Sequence, residues 1–197
     1  MSGTNRRTAT VVAAVIGLGM LGAVAQAKST GKPRHAAVDA VIVHSLGGPD
    51  CLDGAPFFRR IEGDARAWIT KFRRLPIVSI HYVIGRDGQV EAGIPETLAA
   101  SHAIGWNQRS IGIELVNNGD GVDPFPAAQV RALTALVRDI RARHPAVTPA
   151  RVLRHSDVDH STFPVARHGD RCAAFRRKLD PGDAFPWTAF TAGLTRD

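Results

Sequence analysis

Two histidines, a glutamate and an aspartate occupy places where the surrounding sequence calls for something else. His44 closes the apolar run AVIVH, Glu114 interrupts Ile and Leu in SIGIEL, His155 follows Val152 and Leu153, and Asp180 is followed at once by Pro181 and Gly182. A lone strand-end histidine is more often a satisfied structural residue, and a lone strand glutamate more often half exposed, but an unpaired charge inside a sheet is costly. Their joint occurrence points to a site. Two imidazoles and one carboxylate are a ligand set for catalytic zinc, which leaves a fourth position for water and lowers its pKa. The chain holds no H-E-x-x-H and no C-x-x-C, so the residues by themselves leave the metal open. Glu114 could shuttle a proton. Lys178, two before Asp180 in KLDPG, would share its side of an extended chain; the alternative is a solvent-facing member of the run RRK.

Elements must bring these residues together. AVIVH reads as a buried strand, and SIGIELVN alternates Ile111, Ile113 and Leu115 on one face with Gly112, Glu114 and Val116 on the other. SIHYVIG, the turn RDG and QVEAGI predict a hairpin. RVLRHS predicts a strand with His155 near its C-terminal end. DARAWITKFRRL places Trp68, Ile69 and Phe72 at helical spacing, and Pro76 ends it. FPAAQVRALTALVRDIRARHP carries the stripe Val130, Leu133, Val137 and Ile140, with Pro126 suited to its first turn and Pro145 as the break. AFPWTAFTAGL predicts a last short helix. Helices interspersed with strands and one hairpin imply a mixed α+β fold: a single domain with a mixed central β-sheet flanked by helices on both faces.

The 197 residues, 44% hydrophobic and 22% charged, suit one domain with a real core. Residues 1–27 read as a signal peptide: Arg6-Arg7 precedes an uncharged stretch that ends in Ala25-Gln26-Ala27, a small-x-small pattern with the cut after Ala27. The glycines at 17, 19 and 22 and Gln26 argue against a retained anchor, no cysteine precedes the cut to carry a lipid, and NRRTAT is a weak twin-arginine match. Residues 28–37 read as a polar linker and 38–192 as the domain. Removing the leader takes two arginines and no acids from the net charge of +7 and leaves +5. Such a charge suits an anionic polymer such as cell wall. The scattered arginines, without interleaved aromatics, exclude no partner but give no nucleic-acid motif. Cys51 and Cys172, in a chain bound for an oxidising compartment, make one disulfide plausible, against two buried thiols.

Five segments together resemble the zinc-dependent N-acetylmuramoyl-L-alanine amidases of the second type, the family that shares its fold with phage amidase lysozymes and peptidoglycan recognition proteins. They are VIVHS at 41–45, SIHYVIGRDGQVEAG at 79–93, SHAIGWNQRSIGIELVN at 101–117, RHSDV at 154–158 and KLDPGDAFPW at 178–187. They stand in family order and span most of residues 38 to 190. The resemblance implies zinc ligands at His44, His155 and Asp180, and a proton-transferring acid at Glu114. It implies a cation at Lys178 that steadies the oxyanion. His102, Trp106 and Asn107 fall in the region that lines the family's substrate groove, with core packing as the alternative for Trp106. The implied activity is hydrolysis of the amide between N-acetylmuramic acid and L-alanine, in intact wall or in released anhydro-muropeptide, in the periplasm or outside the cell. No nucleic acid and no stable membrane insertion after cleavage are expected.

The chain departs from the family pattern in two places. Ile80 stands where some relatives carry a catalytic tyrosine before the histidine equivalent to His81, which shifts weight onto Glu114; His81 itself reads as a core residue or one that supports the site. The stretch 156–177 is longer than the family's connection and holds His160, His168 and Cys172, all able to bind zinc. Cys172 competes with Asp180, since some relatives use a thiolate, but K-x-D-P-G matches whole, and pairing with Cys51 would tie the inserted loop to the site rim. His35 and His144 read as surface residues. The competing function is a module that binds muropeptides without cleaving them, which the retained ligand set argues against. A zinc peptidase acting on the stem peptide lacks the helical histidine pair.

Overall fold

Ala40–Ser45 and Ser110–Leu115, the apolar run and the alternating run of the sequence, pair in parallel along their whole length at the middle of the sheet. They belong to a computed structural model that describes residues 31–168 and 170–195; the expected signal peptide lies outside these residues. In chain order the elements are β1 (Lys32–Pro33), β2 (Ala40–Ser45), β3 (Pro49–Leu52), β4 (Ala55–Phe58), α1 (Ala65–Phe72), β5 (Tyr82–Ile84), β6 (Val90–Ala92), β7 (Leu98–Ala99) and β8 (Ser110–Leu115). There follow α2 (Ala127–Arg143), β9 (Val152–Arg154), α3 (His155–Val158), α4 (Val165–His168), α5 (Asp170–Ala173) and α6 (Trp187–Leu194). The main sheet runs β6-β5-β8-β2-β9, with β6 antiparallel to β5 and the other pairs parallel. The expected hairpin is β5–β6, and Gly88, at φ 88°, takes the left-handed position of its turn.

Alternation decides what each face of the sheet meets. Val41, Val43, Ile111, Ile113 and Leu115 pack with Leu133, Val137 and Ile140 of α2 and Phe190 and Leu194 of α6. Val83 and Val116, on the other face, join Ile80 and the Ala65, Ile69 and Phe72 stripe of α1. Helices therefore coat both faces, and each buried Leu, Ile or Phe contributes about 1.5–3 kcal/mol. The Asp64 carboxylate caps α1 by accepting the Ala67 N–H, and Pro126 stands immediately before α2 as its N-cap. Buried Gln129 of α2 donates from Nε2 to the carbonyls of Ile84 and Val116, which fixes that helix against the C-terminal ends of β5 and β8. By parity, His44 and Glu114 point away from α2, on the face that α1 covers at β5 and β6.

The sequence reading differs from the fold in three places. The expected linker 28–37 is built into the fold over its described part. β1 pairs with β7, and the Arg34 guanidinium donates to the carbonyls of Glu96, Leu98, Gln108 and Ser110. Those carbonyls lie where strands give way to loops, and one planar side chain with five N–H groups meets all four. β9 stops at Arg154 and His155 opens a helix, because the Asp157 carboxylate accepts the Arg154 N–H and ends the strand. The Gly-, Pro- and Asp-rich stretch after His44, whose sequence carries no strand or helix pattern, holds a second hairpin, β3–β4.

Candidate metal centre

Three separate segments deliver three buried side chains to one point. His44 ends β2, His155 begins α3, and Asp180 lies 25 positions beyond His155. His44 Nδ1 is 2.9 Å from His155 Nδ1 and 3.2 Å from Asp180 Oδ2, and His155 Nδ1 is 2.9 Å from the same oxygen. The residue after each histidine closes the triangle from outside. Ser45 Oγ donates to the Pro181 carbonyl at 2.9 Å, and the Ser156 N–H donates to the Asp180 carbonyl at 3.0 Å. Gly182, at φ 90°, supplies the left-handed turn that leads the chain away.

The electrostatics suit metal ligation. Burial pushes His44 down to about 4, so the imidazole is neutral at neutral pH, as a ligand must be. Asp180 is buried with one oxygen within 3.2 Å of His44 Nδ1 and 2.9 Å of His155 Nδ1, so carboxylate and imidazoles face one another without intervening side chains. Two imidazoles and one carboxylate, all buried, present donor atoms at the mutual spacing of groups that share one small cation. The residues fit zinc.

Glu114 stands opposite His44 in the β2–β8 register but outside the donor triangle. Its Oε2 is buried without a hydrogen-bond partner. Burial, and next the charge of Asp180, push its carboxyl up to about 8, while Lys178 pulls the other way. Lys178 and Asp180 line the same cavity of about 630 Å3, together with His44, Glu114, His102 and His155. No hydrogen bond or ion pair among the described residues engages the Lys178 ammonium. A carboxyl that holds its proton near neutrality and an unpaired cation thus flank the triangle.

The segment 102–107 divides. His102 and Asn107 line the cavity. Trp106, expected in the groove, lies elsewhere: Arg109 and Arg151 stack over its ring, and both pair with Asp39. Those two cations, drawn together by one acid, make it a packing residue. Buried His81 accepts the Gly112 N–H at Nδ1 and gives its Nε2 proton to the Leu98 carbonyl, which makes it a structural tie. His144 binds Glu96 rather than standing free at the surface. Cys172 is bonded to Cys51, joining α5 to β3, and so has no thiolate to give a metal. His160 meets Arg176 at 3.0 Å, and the His168 side chain lies outside the described residues.

Several cavity residues escaped the sequence reading. Arg59, Arg177, Ile77, Ile104 and Asp159 all line it. Asp159 had a signal, four residues after His155 on a helical turn, and its Oδ2 lies 3.9 Å from His155 Nε2. Ser110 and Gly112 also had one, since they share the strand face of Glu114.

A family model described as N-acetylmuramoyl-L-alanine amidase matches residues 34–183. The chain is 30% identical over 177 residues to the 1,6-anhydro-N-acetylmuramyl-L-alanine amidase AmpD of Enterobacter cloacae, covering 83% of this chain and 84% of that one. It is 35% identical over 143 residues to an endolysin of Enterobacteria phage T3, covering 70% and 87%. Among solved structures, the amidase AmiD from E. coli in complex with the substrate anhydro-N-acetylmuramic acid-L-Ala-D-gamma-Glu-L-Lys matches with a TM-score of 0.56 at 25% identity, over 82% of this chain and 60% of that one.

Proposed function

The chain belongs to the N-acetylmuramoyl-L-alanine amidase family, and from that premise we propose that it is an exported zinc enzyme that cleaves the muramoyl–L-alanine amide of peptidoglycan or its muropeptide fragments. The observation that carries the zinc reading is the convergence of His44, His155 and Asp180 beside a partnerless Glu114. AmiD was solved with an anhydro-muramoyl peptide, and that chemistry suits the cavity here: an amide at the triangle, with Arg59 and Arg177 on the wall to meet stem-peptide carboxylates.

Zinc bound to the two histidines and Asp180 would polarise the amide carbonyl and bring a water's pKa toward neutrality. Glu114, off the ligand set but on the same floor, would in its ionised form take a proton from the attacking water at Oε2 and then pass one to the departing L-alanine nitrogen. Burial and the nearby Asp180 bring its pKa close enough to neutrality for the carboxyl to serve in both forms. Lys178 holds a fixed ammonium against the charge that develops on the carbonyl oxygen. A module that only bound muropeptides would have no use for a buried carboxylate oxygen without a partner. Export through residues 1–27 to the periplasm or beyond is supported by the Cys51–Cys172 bridge, which persists in oxidising compartments.

The test is digestion of purified sacculi and of a soluble muropeptide by wild type, by chelated protein and by Glu114→Ala, with products read by mass spectrometry. Wild type should separate sugar from intact stem peptide, and the other two should not. Full activity after chelation would refute the zinc reading, and cleavage within the stem peptide would refute the substrate bond.

A further inference from the structure

The outer nitrogen of His44 ends a chain of hydrogen bonds whose direction can be read from its far end. Ser110 Oγ lies 2.8 Å from the Trp106 carbonyl oxygen, which can only accept, so the hydroxyl proton goes there. Ser110 Oγ is then the acceptor for His102 Nε2 at 3.2 Å, which places the His102 ring proton on Nε2. A bare His102 Nδ1 faces His44 Nε2 at 2.9 Å, so His44 must donate. The reverse chain would leave two oxygens 2.8 Å apart with no proton between them. With its one proton spent on Nε2, His44 turns a free lone pair at Nδ1 toward His155 and Asp180.

The sequence builds a berth for the intermediary ring. Asn107 Oδ1 accepts the N–H groups of His102 and Ala103, at 2.9 and 2.8 Å, and fixes the loop that carries it. Gly112 gives it room: a Cβ at that strand position would lie 2.6 Å from His102 Nδ1 and 2.7 Å from its Cγ. Ser110, Gly112 and Glu114, alternate residues of β8, thus orient the ring, admit it and face the cavity in turn.

We propose that His102 is a positioning residue that selects the ligating tautomer of His44 and holds that ring in register with His155 and Asp180, rather than a contact for substrate. Ser110, Gly112 and Asn107 act through it. The proposal rests on the zinc reading of the centre. An outer partner of this kind changes metal affinity about 10–100-fold when removed.

Zinc affinity is measured by competition with a chromogenic chelator for wild type, His102→Ala, His102→Gln and Gly112→Ala, with circular dichroism to confirm that each is folded. Steady-state kinetics on a muropeptide follow at saturating zinc, and long-range proton–nitrogen NMR of the zinc-free protein reports the His44 tautomer. Alanine at 102 should weaken zinc binding about 10–100-fold with KM little changed, and Gly112→Ala, which alters no polar group, should do the same. Glutamine, able to accept from His44 and donate to Ser110, should restore most of the affinity. Wild-type His44 should show its proton on Nε2. Unchanged zinc affinity with raised KM in His102→Ala, or an Nδ1–H tautomer in wild type, would overturn the proposal while leaving the zinc reading intact. Wild type that binds no zinc would overturn both.

Discussion

His44 and Glu114 are register partners across the parallel β2–β8 pair, so a ring that faces the His155–Asp180 pair and a carboxyl that stands off it share one floor. Adjacent strands lie about 4.8 Å apart, so the carboxyl and the ring stand side by side, near enough for a proton to pass through one bound molecule. The sheet, not a loop, sets that separation.

Replacing Glu114 with Gln should abolish turnover by about 10²–10⁴-fold without loss of zinc. It should also stabilise the chelated protein. The carboxyl is raised from 4.5 to about 8 on folding, so its favourable contribution is complete below pH 4.5 and is lost as pH rises through 8. Gln at 114 escapes that loss, and near pH 7 the variant should be more stable by on the order of 2 kcal/mol, with little difference at pH 4. Urea titrations at the two pH values decide it.

Lys178→Met removes the ammonium and keeps the stem. Turnover at saturating substrate should fall about 10²–10³-fold while zinc content and KM stay near wild type. A raised KM with unchanged kcat would make the lysine a substrate anchor instead.

The Cys51–Cys172 bridge joins β3, whose Pro49 and Asp50 line the cavity, to α5 of the inserted stretch. Changing both cysteines to Ser should cost about 2–4 kcal/mol in chemical denaturation. Limited proteolysis should then cut within 159–177, where wild type resists.

Glu96 gathers Tyr82 Oη at 2.6 Å and Arg143 Nη2 and His144 Nε2 at 2.8 Å. Burial would raise its pKa, but the donations from Arg143, Tyr82 and His144 outweigh it and bring it down to about 2. Its stabilisation is therefore present above 4.5 and lost as pH falls toward 2. Glu96→Gln should lose on the order of 2 kcal/mol at pH 7, and the gap to wild type should close across that acid window in a pH series of denaturant midpoints.

The strands β2 and β8 and the helix α2 were legible because burial there imposes a period that no loop would keep. The same periods put His44 and Glu114 on the face opposite α2. Trp106 was not legible: its ring is held by Arg109 and Arg151, and what draws those cations together is Asp39, some seventy residues upstream of the nearer one. Arg34 was hidden for a like reason, since a cation in a polar segment declares nothing about four carbonyls far down the chain. His155 was placed on a strand because local propensity runs through it, whereas a single carboxylate at Asp157 ends the strand one residue earlier.

The ties from Ser45 and Ser156 to the Asp180–Pro181 carbonyls are made by polypeptide alone. A centre drawn together in this way is ready before any ion arrives. On the proposed zinc reading, protein folded without the metal should gain activity when zinc is added, with no unfolding step needed.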